Sequence, residues 1–172
     1  MHHFIHSRLF RIAGLVLGVL AWLANAPNPP TGRTGAPFDN GTCNDCHSGG
    51  GFNGTVVVDG LPGTIEPNTT YPLTITLTAT GGNPARGGYQ VVVVDGNNVN
   101  AGDLTTVNGQ SGTEFFSGRE YMEHRGSKLF AGGTVQWAFN WKSPVSANGN
   151  TINVYCIGNF VKGWKDGKAR EI

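Results

Sequence analysis

Two stretches of strict alternation decide what this chain can fold into. Tyr71, Leu73, Ile75, Leu77 and Ala79 are spaced by Thr74, Thr76 and Thr78. Val135, Trp137, Phe139 and Trp141 are spaced by Gln136, Ala138 and Asn140. Successive side chains of a strand point to opposite faces, so a period of two buries one face and wets the other. Val56 to Val58, the β-branched run Tyr89 to Val94 closed by Asp95-Gly96, and Thr151 to Ile157 ended by Gly158-Asn159 read as further strands. Gly81-Gly82-Asn83-Pro84 and Ser146-Ala147-Asn148-Gly149 are turn signals between such runs. No stretch past residue 26 has a convincing helical period. Short strands at this spacing predict an all-β, antiparallel sandwich over residues 55–172.

Residues 1–26 read differently. Arg8 and Arg11 form a positive start, and Ile12 to Leu23 is an uncharged, mostly apolar run. The run is short for a membrane span and suits a secretory signal, with Ala24-Asn25-Ala26 as the cleavage site. Pro27 disfavours cleavage there, so retention as an N-terminal membrane anchor is the alternative. The expectation is export, to the periplasm or the cell surface. About 146 residues remain, a size that suits one domain. They carry ten Lys plus Arg against eleven Asp plus Glu, with no basic stripe, so nucleic acid is not an expected partner.

Residues 27–54 are rich in Pro and Gly, and they hold the chemistry. Cys43-Asn44-Asp45-Cys46-His47 is a complete C-x-x-C-H, the attachment signature of c-type haem. Cys43 and Cys46 would form thioethers to the two vinyl groups, and His47 would supply the proximal axial nitrogen. A structural zinc site would want two more Cys or His at short spacing. A thioredoxin-like dithiol would want a strand-to-helix junction. Neither context is present in the sequence, and one covalent haem c is the expected cofactor. Cys156 is left over. It shares a strand face with Ile152 and Val154 and reads as a small buried hydrophobe, with an intermolecular disulfide as the minor reading.

A low-spin cytochrome needs a second axial ligand, usually His or Met. Beyond the signal, His124 is the one histidine outside the motif, and Met122 is the one methionine. They lie two apart in Tyr121-Met122-Glu123-His124, so on a strand both would face one way. His124 is the expected distal ligand and Met122 the alternative. An open or intermolecular site is the remaining possibility. Trp137, Phe139 and Trp141 read as core. Arg86, Arg119 and Arg125 are either propionate partners or solvated surface charges.

Several segments resemble, in order, exported bacterial Reeler-like domains of the choice-of-anchor type. These are Pro29 to Pro37, Thr42 to Gly49, Gly60-Leu61-Pro62, Tyr71 to Leu77, Arg86-Gly87-Gly88-Tyr89-Gln90-Val91, Tyr121 to His124, Phe139 to Pro144 and Val154 to Asn159. The resemblance implies an immunoglobulin-like sandwich with an N-terminal C-x-x-C-H loop. It also implies a recurrent histidine at the position of His124. The stretch Phe160 to Ile172 has no counterpart in it.

Nothing in the chain resembles a substrate site. There are no paired catalytic carboxylates, no Ser-His-Asp order and no phosphate loop, so an enzyme is not expected. The expected function is electron transfer by an exported monohaem cytochrome, with an unidentified redox partner protein. The alternative is an extracellular binding or structural module in which haem staples the N-terminal loop to the sandwich.

Overall fold

The computed structural model describes residues 28–47, 50–146, 151–162, 164–165 and 168–169. The targeting segment expected at 1–26 and the turn at 147–149 lie outside the described residues. Among the described residues no helix is long and apolar enough to cross a membrane.

The alternating stretches form the centre of the first sheet. β2 (Thr70–Gly81) and β8 (Thr134–Lys142) pair antiparallel, with Tyr71 opposite Trp141, Leu73 opposite Phe139, Ile75 opposite Trp137 and Leu77 opposite Val135. These pairs all face inward. The intervening Thr74–Ala138 and Thr76–Gln136 pairs face out, where Gln136 donates to Thr76 Oγ1 at 2.9 Å. β1 (Asn53–Asp59) and β4 (Asp103–Thr106) complete the sheet in the order β1-β2-β8-β4.

The second sheet is built on β3 (Arg86–Val94), with β5 (Ser111–Phe116), β6 (Arg119–His124), β7 (Lys128–Leu129) and β9 (Asn153–Val161) around it. β6 and β7 share one side of β3, and β9 takes the other. A two-stranded ribbon, β10 (Trp164–Lys165) with β11 (Lys168–Ala169), follows. The all-β antiparallel sandwich expected from the alternation is the observed architecture.

The core lies between the sheets. Leu73, Ile75, Leu77, Tyr89, Val91, Val93, Met122, Trp137, Phe139 and Trp141 form one buried cluster. Tyr89 stacks on Phe139 and tilts against Trp137. Each such aliphatic side chain contributes about 1.5–3 kcal/mol on burial. The aromatic stripe is therefore core, as its period predicts. Ile152, Val154 and Cys156 pack against the same cluster, so the leftover cysteine does behave as a small interior hydrophobe.

The second sheet has a covered outer face as well. Val92, Val94 and Tyr121 point away from the core and pack with Ala36 from the N-terminal segment. Asp39 fixes this cover. Its carboxylate accepts from the Tyr121 hydroxyl, from Arg119 Nη1 at 3.5 Å, and from the Thr34 amide and hydroxyl at 2.8 and 2.7 Å. The N-terminal segment is thus a third layer over half of the sandwich. That layer carries the C-x-x-C-H motif.

Candidate haem-attachment site

Cys43–Asp45 forms a single 3-10 turn. The amides of Cys46 and His47 both donate to the Cys43 carbonyl, at 3.3 and 3.0 Å, so the turn holds the two cysteines and the histidine together. Asp45 closes the turn by accepting from the Thr42 amide at 3.0 Å. It also accepts from Arg33 Nη1 at 2.8 Å. Gly41 leaves room for that carboxylate. Its φ of 124° is a conformation that other residues rarely adopt, and a Cβ would strike Asp45. The turn packs against β9. Cys43, Cys46 and Cys156 are all unbridged thiols, with Cys46 exposed. Burial pushes the Cys43 thiol up to about 11, with Cys46 adding to the rise. Burial pushes Cys156 up to about 12, with the charge of Cys43 adding to the rise.

His124 sits where the second sheet changes partner. β3 pairs with β6 through Gln90–Val92 and with β7 through Arg86–Gly87. Gly88 and Tyr89 have no strand partner on this side. The imidazole of His124 fills the break. Its Nδ1 lies 3.0 Å from both the amide nitrogen and the carbonyl oxygen of Tyr89. A side chain therefore takes the place of a strand partner here: unprotonated, Nδ1 accepts from the Tyr89 amide, and protonated, it donates to the Tyr89 carbonyl.

The ring also lies over Gly88. A Cβ at Gly88 would fall 2.5 Å from Cε1 and 2.7 Å from Nε2 of His124. Burial holds the His124 pKa below the ordinary imidazole value, the Tyr89 hydrogen bond opposes this, and the charges of His47 and Arg125 lower it further.

Met122 is placed elsewhere. It pairs with Val91 and is fully buried in the core cluster between the sheets. Its neighbours Tyr121 and Glu123 point to the opposite face, where the N-terminal segment lies. The shared face expected for Met122 and His124 gives way because the imidazole turns back onto the Tyr89 main chain at the strand end. The sheet therefore lies between the Met122 side chain and the layer that carries the motif.

The three arginines considered as propionate partners are all engaged within the protein. Arg119 is buried and donates to the carbonyls of Asn98 and Pro37. Arg86 donates to the hydroxyl and carbonyl of Ser127. Arg125 pairs with Glu114 at 2.6 Å and Glu123 at 3.6 Å.

Sequence reasoning missed Arg33, Gln90 and Glu123. Gln90 is fully buried. Its Oε1 accepts from the Arg33 amide at 2.7 Å, and its Nε2 donates to Glu123 Oε2 at 3.0 Å and to the Pro30 carbonyl at 3.2 Å. A polar residue inside the apolar run Tyr89 to Val94 was the available signal, since buried amides are nearly always bonded. Burial pushes Glu123 up to about 7, against the opposing effects of Gln90 and Arg125.

The residues present fit a covalently attached haem on two observations. The turn presents paired thiols with a histidine directly after them. On β6, the His124 ring packs over Gly88, where the absence of a side chain makes room for it, and Nδ1 is tied to the Tyr89 main chain. Ligation through Nε2 requires Nδ1 to carry the proton and donate to the Tyr89 carbonyl, which is the usual support of a metal-bound imidazole.

No family model matches this chain, and no curated protein sequence does. Solved structures that resemble it include the human F-spondin reeler domain (fragment 2), at 19% identity over 60% of this chain and 77% of that one, with a TM-score of 0.39. The Reelin-N domain of F-spondin resembles it at 20% identity over 59% of this chain and 69% of that one, also with a TM-score of 0.39. The fold class rests on the strand topology rather than on these likenesses.

Proposed function

We propose that this chain is an exported monohaem c-type cytochrome that passes single electrons to a redox partner protein. One observation carries the reading. The amides of Cys46 and His47 both donate to the Cys43 carbonyl, so one turn presents two unbridged thiols with a histidine directly after them. Cys43 and Cys46 would carry the thioethers, with His47 as proximal and His124 as distal ligand. Haem c held in this way supplies a one-electron iron couple.

The chain's own groups suit that role. Burial keeps His124 neutral, the form that ligates. Tyr89 fixes the ring through Nδ1 and leaves Nε2 as the donor atom. Cys46 is exposed, so a group attached to it reaches the surface, where a partner docks. The alternative, a haem that only staples the loop, has less support. Asp39 and Gln90 already fix the N-terminal segment through protein contacts alone. Export rests on the targeting segment.

Expression in a host that matures c-type haem tests the proposal. The purified protein should stain for haem after denaturation and gain the mass of one haem. It should cycle reversibly between oxidised and reduced spectra without binding carbon monoxide. Protein from that host carrying zinc, or no cofactor, would overturn the proposal. Ready carbon monoxide binding would instead indicate an open site.

A further inference from the structure

Two adjacent residues hold the two ligand-bearing pieces of the chain. The main chain of Tyr89 grips the His124 ring through Nδ1, at 3.0 Å. The side chain of Gln90 grips the segment that leads into the motif. It accepts from the Arg33 amide and donates to the Pro30 carbonyl. Arg33 in turn reaches inside the motif, where Nη1 bonds Asp45 Oδ2 at 2.8 Å and the Asn40 carbonyl at 3.0 Å. The other end of the Gln90 amide is fixed by Glu123, the residue before His124. An unbroken hydrogen-bonded chain therefore runs from Glu123 through Gln90 and Arg33 to Asp45.

Each bond of the amide has a consequence. Gln90 has no exposed surface, so water cannot replace its partners. Its three contacts fix the amide's orientation, because only the oxygen can face the Arg33 N–H and only the nitrogen can face Glu123 and Pro30. β3 itself is pinned on both sides, by β9 and by β6. Gln90 is thus a point on a doubly paired strand to which the N-terminal layer is tied.

We propose that Gln90 is the positioning residue of this site: it sets where the C-x-x-C-H turn stands relative to His124. The inference rests on the haem reading for its spectroscopic arm only. Gln90 touches neither thiol nor imidazole, and it acts through Arg33 and through the strand that carries His124. Without it, covalent attachment at Cys43 and Cys46 still proceeds, but the two imidazoles are no longer held in register.

The experiment uses three variants in two forms of the full chain. Gln90→Leu keeps the shape and removes all three bonds. Arg33→Met leaves the backbone bond to Gln90 and cuts the side-chain links to Asp45 and the Asn40 carbonyl. The exchanged pair Gln90→Glu with Glu123→Gln restores an acceptor for the Arg33 amide and a donor–acceptor contact between positions 90 and 123. In haem-free protein (Cys43→Ser, Cys46→Ser), amide exchange at residues 30–45 should speed up about tenfold or more in Gln90→Leu, as expected for losing buried hydrogen bonds. The exchanged pair should recover most of that protection.

In haem-loaded protein, Gln90→Leu should keep full haem content by mass. It should nevertheless gain a high-spin fraction that binds carbon monoxide, well below its melting temperature. The exchanged pair should return it to low spin. Arg33→Met should move the spectrum the same way by a smaller amount, and it decides the matter if Gln90→Leu does not fold. A purely structural role would lower the melting temperature and leave the spectrum unchanged. That result, or unchanged exchange at 30–45, overturns the proposal. If the wild-type chain takes up no haem, the haem reading fails, while the exchange arm still shows whether Gln90 holds the motif.

Discussion

Replacing Gly88 by Ala is the sharpest single perturbation of this structure. Gly88 lies in β3 without a positive φ, so alanine meets no backbone penalty there. The penalty is steric. The new Cβ would fall 2.5, 2.7 and 2.9 Å from Cε1, Nε2 and Nδ1 of His124. The ring cannot retreat freely, because Nδ1 is tied to the Tyr89 main chain at 3.0 Å. Either the ring is overpacked, at about 1–3 kcal/mol, or it leaves and strands a buried peptide group, at about 1–3 kcal/mol. Alanine recovers about 0.5–1 kcal/mol of the entropy that glycine loses in a strand. The net loss is therefore up to about 2.5 kcal/mol, a fall in melting temperature of up to roughly 10 °C for a domain of this size. The assay is thermal unfolding of the haem-free protein, which keeps the cofactor out of the measurement. Gly63→Ala is the control, since a Cβ there meets nothing within 4 Å. A Gly88→Ala protein that melts with the wild type, beside a control that does the same, would refute the account of His124 as a wedge fixed in the sheet.

Other outcomes follow from the same contacts. His124→Ala should cost the haem-free protein about 1–3 kcal/mol by removing the ring nitrogen that pairs with the Tyr89 main chain. In the loaded form it should give high-spin iron that binds carbon monoxide, and a spectrum that stays low-spin would remove His124 from the ligand set. Met122→Leu is a volume-conserving change in the core and should cost less than about 1.5 kcal/mol. It should leave the iron spectrum unaltered, and a shifted spectrum would return Met122 to consideration. Glu123 gives a pH test in the haem-free form. Its folded pKa is raised to about 7 from 4.5, so the folded state binds the extra proton between those values and stability is lost as pH rises through the window. Glu123→Gln should therefore match the wild type near pH 5 and exceed it near pH 8, by up to about 3 kcal/mol. Equal stability curves across that range would mean that Glu123 is not desolvated as the fold implies.

The limits of the sequence reading are visible in particular elements. β2 and β8 were legible because one face of each is buried against a core and the other is wet. β4 and β5 were not. β4 buries only Leu104 among its four residues, and β5 is an edge strand that turns Phe115 outward to 74% exposure. Edge strands lack the two-sided environment that imposes a period, so neither left a pattern to read. Arg119 illustrates the same limit in the site. It reads as either a propionate partner or a solvated surface charge, yet two backbone carbonyls from distant loops and Asp39 let it be buried.

The sequence by itself determined the sandwich class and marked the C-x-x-C-H motif as the candidate site, because both signals are local. Three residues spaced as C-x-x-C-H suffice to define an attachment signature, and an alternating run needs no partner to declare its faces. It also singled out His124 by elimination. Only the tertiary structure decided which side of the sheet each candidate takes. Met122 points into the core, and His124 turns into a gap that exists because β3 changes partners between Gln90 and Gly87. The Gln90 clasp likewise joins positions 57 and 60 residues apart. Contacts of that span depend on register and on strand exchange, which are properties of the assembled sheet: a polar residue in an apolar run marks Gln90 as bonded, but its partners are not legible in the order of residues along the chain.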